Sequence, residues 1–268
     1  MPSEINPQSD NPLTRALAQL RARTPARLVV GRAGSSYRTA TQLELREDHA
    51  FAVDAVHSEL DLNRDFNPQL VAGYKLFEVG TQAHDKAEFL KRPQLGRQFD
   101  DQARAAIVAQ CPADVDCQIV IGDGLSSAAV VSQVPALLPL LVDGAKKRNW
   151  SLGRPFVVRH CRVGILNDIG TMLRPRVAVL LIGERPGLAT AESLSAYMAF
   201  RPQDGHTDAQ RNLISNIHAR GVPPKQAAAR ILALADQMIA ASTSGTAVKE
   251  ELTVNLDGKS TSGRIEAG

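Results

Sequence analysis

From about residue 100 onward this chain alternates short apolar runs with longer stretches of helical character, and that alternation limits its fold more than any other feature. The runs are 117–121 (CQIVI), 155–160 (PFVVRH), 177–182 (VAVLLI) and 196–200 (AYMAF); helical stretches fall at 126–147, 164–173 and 223–241. Each run is too short for a helix and too apolar for an exposed antiparallel edge, which predicts strands covered on both faces. Within 223–241, Ala227, Ile231, Leu234 and Met238 form one stripe, and Pro224 occupies a first turn, where proline is tolerated. The reading is an α/β fold: a Rossmann-like, doubly wound, mostly parallel sheet with right-handed crossovers.

The preceding third predicts a small N-terminal α-helical domain. At 39–60, Leu43, Ala50, Val53, Val56 and Leu60 share one side of an amphipathic helix, which a capping pair of Thr41 and Glu44 would start. A shorter helix at 85–92 would stop at Pro93. The expected organisation is a disordered lead at 1–12, a helical domain at 13–99, the sheet domain at 100–243 and a polar tail at 244–268.

Composition excludes several classes. With 44% hydrophobic and 22% charged residues the chain buries an ordinary core, and its 31 Lys and Arg against 28 Asp and Glu, net +3, are not gathered into the basic, aromatic-interleaved patches of nucleic-acid binders. No apolar run approaches the length of a membrane span, and the polar start lacks a secretory pattern, so a cytoplasmic protein is expected, with no nucleic-acid or membrane partner. Cys111, Cys117 and Cys161 lack C-x-x-C spacing, and none of the six histidines lies in a ligand motif; neither a disulfide framework nor a metal site is indicated.

In open α/β sheets ligands bind beyond the carboxyl ends of the strands, where loops and helix N-termini converge. The first such loop, Gly122-Asp123-Gly124-Leu125-Ser126-Ser127, imitates a dinucleotide fingerprint but has Ser127 in place of the third glycine. The acid that should hold a ribose is also missing: Asp143 has the spacing but falls in a helical stretch. A glycine turn open to some other ligand and a plain tight turn both remain readings of this loop. The third strand runs into Gly183-Glu184-Arg185-Pro186-Gly187, a charged pair that must face solvent or meet a specific partner, with Ser193, Ser195 and Tyr197 close behind. No nucleophile, base and acid set is present, so no catalytic residue is assigned. Asp204-Gly205-His206-Thr207-Asp208-Ala209 imitates a D-x-H-x-x-G cobalamin loop, but Ala209 replaces the glycine and the loop follows the last strands; it reads as a surface turn.

These loops carry a resemblance. The residues Gly31-Arg32-Ala33-Gly34, Arg92-Pro93 with Leu95-Gly96-Arg97, Asp123-Gly124-Leu125-Ser126 and Pro155 to Val163 bear it over the first two thirds. Gly183-Glu184-Arg185-Pro186-Gly187-Leu188 with Glu192-Ser193-Leu194-Ser195, and Ile214-Ser215-Asn216-Ile217-His218 before Pro223-Pro224, complete it. Together, over roughly 14–247, the chain resembles the small subunit of ethanolamine ammonia-lyase, an adenosylcobalamin-dependent enzyme that converts ethanolamine to acetaldehyde and ammonia. The resemblance implies a large catalytic subunit as partner, a higher oligomer of six large-small pairs, and adenosylcobalamin shared between the two chains with its own dimethylbenzimidazole base on cobalt. It implies cobalamin contacts at Val163, at Glu184 and at Leu213, where the family pattern has cysteine; Asp123 and Ser126 are second-rank candidates. It also raises the interior of a bacterial microcompartment as a location, although the short N-terminal segment argues against an encapsulation signal. The competing readings are a self-sufficient nucleotide-using α/β enzyme and a scaffold subunit without cofactor.

Overall fold

The computed structural model describes residues 12–23, 29–187, 190–250, 254–256 and 259–261. It begins with α1 (Pro12–Arg23) and a short antiparallel pair, β1 (Arg32–Ala33) and β2 (Ser36–Tyr37). The expected lead at 1–12 lies outside the described residues apart from Pro12. The helix anticipated at 39–60 is α2 (Thr39–His57), which starts from Arg38 without a side-chain cap, so Thr41 and Glu44 take no part in its start. Its stripe is largely uncovered: Leu43 is 58% exposed, Val53 42%, and the adjacent Phe51 61%. Helical spacing marks a face suited to burial, but whether a neighbour covers that face is decided elsewhere in the fold.

Next come α3 (Leu62–Asp65) and α4 (Pro68–Tyr74), whose first N–H groups are accepted by the Asp61 and Asn67 side chains. β3 (Glu78–Gly80) then appears in a stretch read from sequence as helical; three residues are too few to reveal a period of two. The short helix anticipated at 85–92 is α5 (Lys86–Lys91), capped by Asp85. A 3-10 turn at Leu95–Arg97 and α6 (Asp101–Gln110) lead into the sheet.

The remaining elements are β4 (Cys117–Gly122), α7 (Ser127–Lys147), β5 (Phe156–Arg159), α8 (Ile165–Leu173), β6 (Val177–Gly183), β7 (Leu194–Phe200), β8 (Asn212–Ile217) and α9 (Pro224–Ala241). A separate antiparallel pair, β9 (Val254–Leu256) and β10 (Lys259–Thr261), closes the described chain. The fold is therefore mixed α/β around one six-stranded, mostly parallel sheet of order β3-β5-β4-β6-β7-β8. The first four strands in that order are parallel; β7 and β8 are antiparallel. No helix fits into the connection between β6 and β7, so the chain must turn straight back, whereas a parallel strand needs a long crossover. Sequence reading missed β8, an edge strand whose residues alternate unevenly and whose pairing with β7 is interrupted near Ala196.

Two apolar cores flank the sheet. On one face Ile119, Ile121, Val179, Leu181, Ala196 and Ile214 pack with α7 and α9; on the other Val120, Val158, Leu180, Ile182 and Phe156 pack with α6 and α8. By length and composition α7 is apolar enough to cross a membrane, yet Leu137, Leu138 and Leu141 on it are core residues of the first face. Residues 244–250, grouped with the tail by sequence, contact the body. The Ser244 hydroxyl accepts from Phe200 N and donates to the Gln210 carbonyl, and Arg230 pairs with Glu250 at 2.5 Å.

Candidate functional site

The carboxyl ends of β4, β5 and β6 bring the three sequence-marked loops together. After β4, the Asp123 carboxylate is buried and accepts the backbone N–H groups of His160, at 2.9 Å, and Cys161, at 2.8 Å, at the exit of β5. His160 is left-handed, with φ 56°, a conformation that costs a non-glycine residue about 1–3 kcal/mol and persists only where its surroundings impose it. Those two N–H bonds impose it. The buried Lys86 on α5 brings its Nζ to 3.8 Å from Asp123 and donates to the Gly124 carbonyl at 3.4 Å. Burial pushes the Asp123 carboxyl up and the Lys86 ammonium down, each opposed by the charge of the other. Ser126, also buried, caps α7 by accepting Ala129 N and donates to the Ala191 carbonyl. Both second-rank candidates thus face inward, onto partners that shape the rim.

Glu184 lies just beyond β6. Its carboxylate accepts the Ser193 hydroxyl at 2.7 Å, the Ser195 hydroxyl at 2.5 Å and the Asn216 N–H at 3.0 Å, tying the ends of β6, β7 and β8 into one unit. The carboxylate of a residue expected to contact the cofactor is therefore engaged by three donors of its own chain. Asn216 is left-handed, at φ 60°. Its side chain meets the Nε2 of buried His218 at 2.7 Å, and His218 Nδ1 accepts the Arg220 N–H at 3.3 Å. With Nε2–H donating and Nδ1 accepting, only the neutral ring satisfies both bonds.

This gives a signed expectation. Burial, and then the nearby Arg220, lower the His218 pKa from its ordinary value of 6.5, against the pull of Glu184 and Glu192. Below 6.5 the unfolded chain takes up a proton that the folded chain resists, so the contribution of this ring to stability is present above 6.5 and is lost as pH falls through the folded value. Urea unfolding between neutral pH and about pH 5 should show this loss, and His218→Gln should flatten that part of the profile. A variant profile parallel to the wild type would refute the assignment.

The residues expected to contact a cofactor share one face of the sheet. Leu213 stands directly across from Tyr197, which pairs with Leu180, and cross-strand partners point to the same side. Val163, Tyr197 and Leu180 all belong to the core on the α8 face. Ser195, opposite Ile182, and hence the Glu184 carboxylate that it binds, lie on that face as well. Leu213 is not at the rim, though. Ile217, not Leu213, stands level with Leu194 and Gly183, so Leu213 lies part-way down the edge strand and is 45% exposed. Tyr197, half-buried between these positions, has its hydroxyl pKa raised by burial and by Asp208 and Glu184.

Sequence reasoning missed Lys86, because a lysine in a short polar helix carries no sign of burial. It also passed over the side chain of Arg162, which lies in a motif already noted but whose lack of a partner is visible only in three dimensions.

Comparison with known proteins places these features. A family model described as "Ethanolamine ammonia-lyase light chain (EutC)" matches residues 14–249. A protein of Listeria innocua serovar 6a named "Ethanolamine ammonia-lyase small subunit" is 43% identical over 86% of this chain and 77% of its own length. Proteins of the same name from Clostridium acetobutylicum, 39% identical over 87% of this chain and 94% of theirs, and from Fusobacterium nucleatum subsp. nucleatum, 40% identical over 85% and 75%, agree.

Proposed function

The chain belongs to the ethanolamine ammonia-lyase light-chain family, and from that membership we propose that it is the small subunit of an adenosylcobalamin-dependent ethanolamine ammonia-lyase. In this reading it covers the corrin at the interface with a large catalytic subunit, which converts ethanolamine to acetaldehyde and ammonia. The observation that carries the proposal is the convergence of the Asp123, Arg162 to Val163 and Glu184 loops at the carboxyl edge of the sheet, beside a face left partly open at Leu213. The donor set suits the group. A corrin needs apolar surface for its ring, which Val163, Tyr197 and Leu213 offer, and a cation for its single phosphodiester, which Arg162 offers with an Nε–H that has no acceptor among the described residues.

Adenosylcobalamin, when bound, supplies the hard step, homolysis of its cobalt–carbon bond. The residues of this chain hold the surroundings. The Asp123 and Lys86 pair fixes the exit of β5, and Glu184 fixes the ends of β6, β7 and β8, so that the covering surface is set before the cofactor arrives and excludes water from it. With Ala209 in place of the loop glycine, the loop around His206 would not supply a histidine ligand to cobalt. The exposed Leu43, Phe51 and Val53 on α2 favour a protein partner over solvent. A Rossmann-like arrangement and an assembly of six large-small pairs complete the proposal.

The test is co-expression with a large subunit of this family, followed by an ammonia-release assay with added adenosylcobalamin. Activity from the pair and none from either chain alone is expected. Turnover by the large subunit alone at the rate of the pair would overturn the proposal, as would a pair that never retains a corrinoid.

A further inference from the structure

Arg162 and Arg97 stand together, and neither forms an ion pair with a carboxylate among the described residues. Residues 96–97 and 162–164 interleave: Arg162 N donates to the Gly96 carbonyl at 2.8 Å, the Arg162 side chain lies against Gly96, and the Arg97 side chain lies against Gly164. The Arg162 guanidinium sits 4.2 Å over the Phe89 ring, and its Nε–H is buried with no acceptor among the described residues. Burial disfavours the charge on Arg162, Asp123 pulls the other way, and repulsion from the Arg97 guanidinium adds to the effect of burial. The neighbouring anion, Asp123, has both oxygens occupied by backbone N–H groups and faces Lys86. The opening N–H groups of α8 are also taken, by the carbonyls of Arg162, Val163 and Gly164, so the Arg162 Nε–H is the unsatisfied donor here among the described residues.

An arginine that is partly desolvated, held flat by an aromatic ring and left without an acceptor is a receptor for a planar or tetrahedral oxyanion. We propose that Arg162, seconded by Arg97, binds the phosphodiester in the nucleotide loop of cobalamin, an inference that rests on the cofactor reading above. Position supports that ligand. Arg162 directly precedes Val163, on the same face as Leu213, and the phosphodiester is the one fixed charge on the periphery of the corrinoid. A carboxylate of the large subunit is the rival occupant, and the experiment separates the two.

The complex of this chain with its large subunit is titrated with cyanocobalamin and with dicyanocobinamide, which lacks the nucleotide loop and its phosphate, reading the visible absorbance of retained corrinoid. Arg162→Gln should weaken cyanocobalamin binding by about 10- to 100-fold, the worth of a charge-assisted bond, and leave cobinamide binding unchanged. Arg162→Lys should recover part of the loss, and Arg97→Gln should give a smaller loss with the same selectivity. Equal loss for both corrinoids, no loss for either, or dissociation of the large subunit in size exclusion would overturn the proposal. If Arg162→Gln fails to fold, Arg97→Gln decides by the same selectivity. Should the wild-type complex retain neither corrinoid, the cofactor reading itself falls and takes this site with it; should it retain both while every variant does too, only this site falls.

Discussion

Replacing Asp123 with alanine is expected to lower the unfolding free energy of this chain by about 3–5 kcal/mol, the range found when one partner of a buried charge pair is removed. Three losses coincide. Lys86 keeps its buried ammonium but loses the anion 3.8 Å away, and the N–H groups of His160 and Cys161 lose their acceptor in a site without water access. His160 then keeps only the Thr81 bond to its carbonyl and its ring contact with the Ala83 carbonyl to hold it at φ 56°. Asp123→Asn should be milder, since the amide oxygen still accepts one N–H, but its NH2 would confront the other donor. Lys86→Met combined with Asp123→Asn should cost less than the sum of the single changes, because neither charge is then left alone. Chemical denaturation of the wild type and the four variants, Lys86→Met alone included, reads all of this, and a loss under about 1 kcal/mol for Asp123→Ala would show that the pair contributes little.

Gly183→Ala is expected to be comparably damaging, on the order of 3 kcal/mol, although it adds a single methyl group. A Cβ on Gly183 would overlap the carbonyl oxygens of Ser126 and Asp123, both of them backbone atoms with no rotamer to yield. The loop after β4 would have to move, and with it the Leu125 N–H that donates to the Gly183 carbonyl at 3.1 Å. Gly187, four positions on in the same motif, is the control. Among the described residues a Cβ there meets only the Thr190 carbonyl at 3.8 Å, an ordinary contact, so Gly187→Ala should stay within about 0.5 kcal/mol. Thermal unfolding of the two variants separates them, and equal stability would remove close packing as the reason for glycine at 183.

Much of this site was legible from residue order. The strands at 117–121, 177–182 and 196–200 and the helices at 126–147 and 223–241 recur with small shifts as β4, β6, β7, α7 and α9, because strong local periodicity was confirmed by burial. β3 and β8 were missed, since a three-residue strand and an irregular edge strand carry too little periodicity to separate them from loop. Among the site residues, the position of Glu184 at a strand exit was readable, but its saturation by Ser193, Ser195 and Asn216 was not. Two of these donors lie on one antiparallel strand and the third on another, and strand pairing is not written in any local window.

The residue order by itself determined which segments become strands and helices, the exits of β4, β5 and β6 as the place where loops gather, and the motifs that assign the family. Only the tertiary structure decided which polar groups remain free to act. It turned Asp123, Ser126 and Glu184 inward onto partners up to 65 positions away, and left the Arg162 Nε–H beside Phe89 with no acceptor among the described residues. The physical reason is that hydrophobic period is a property of neighbours along the chain, whereas hydrogen-bond satisfaction depends on groups that meet only when distant segments pack.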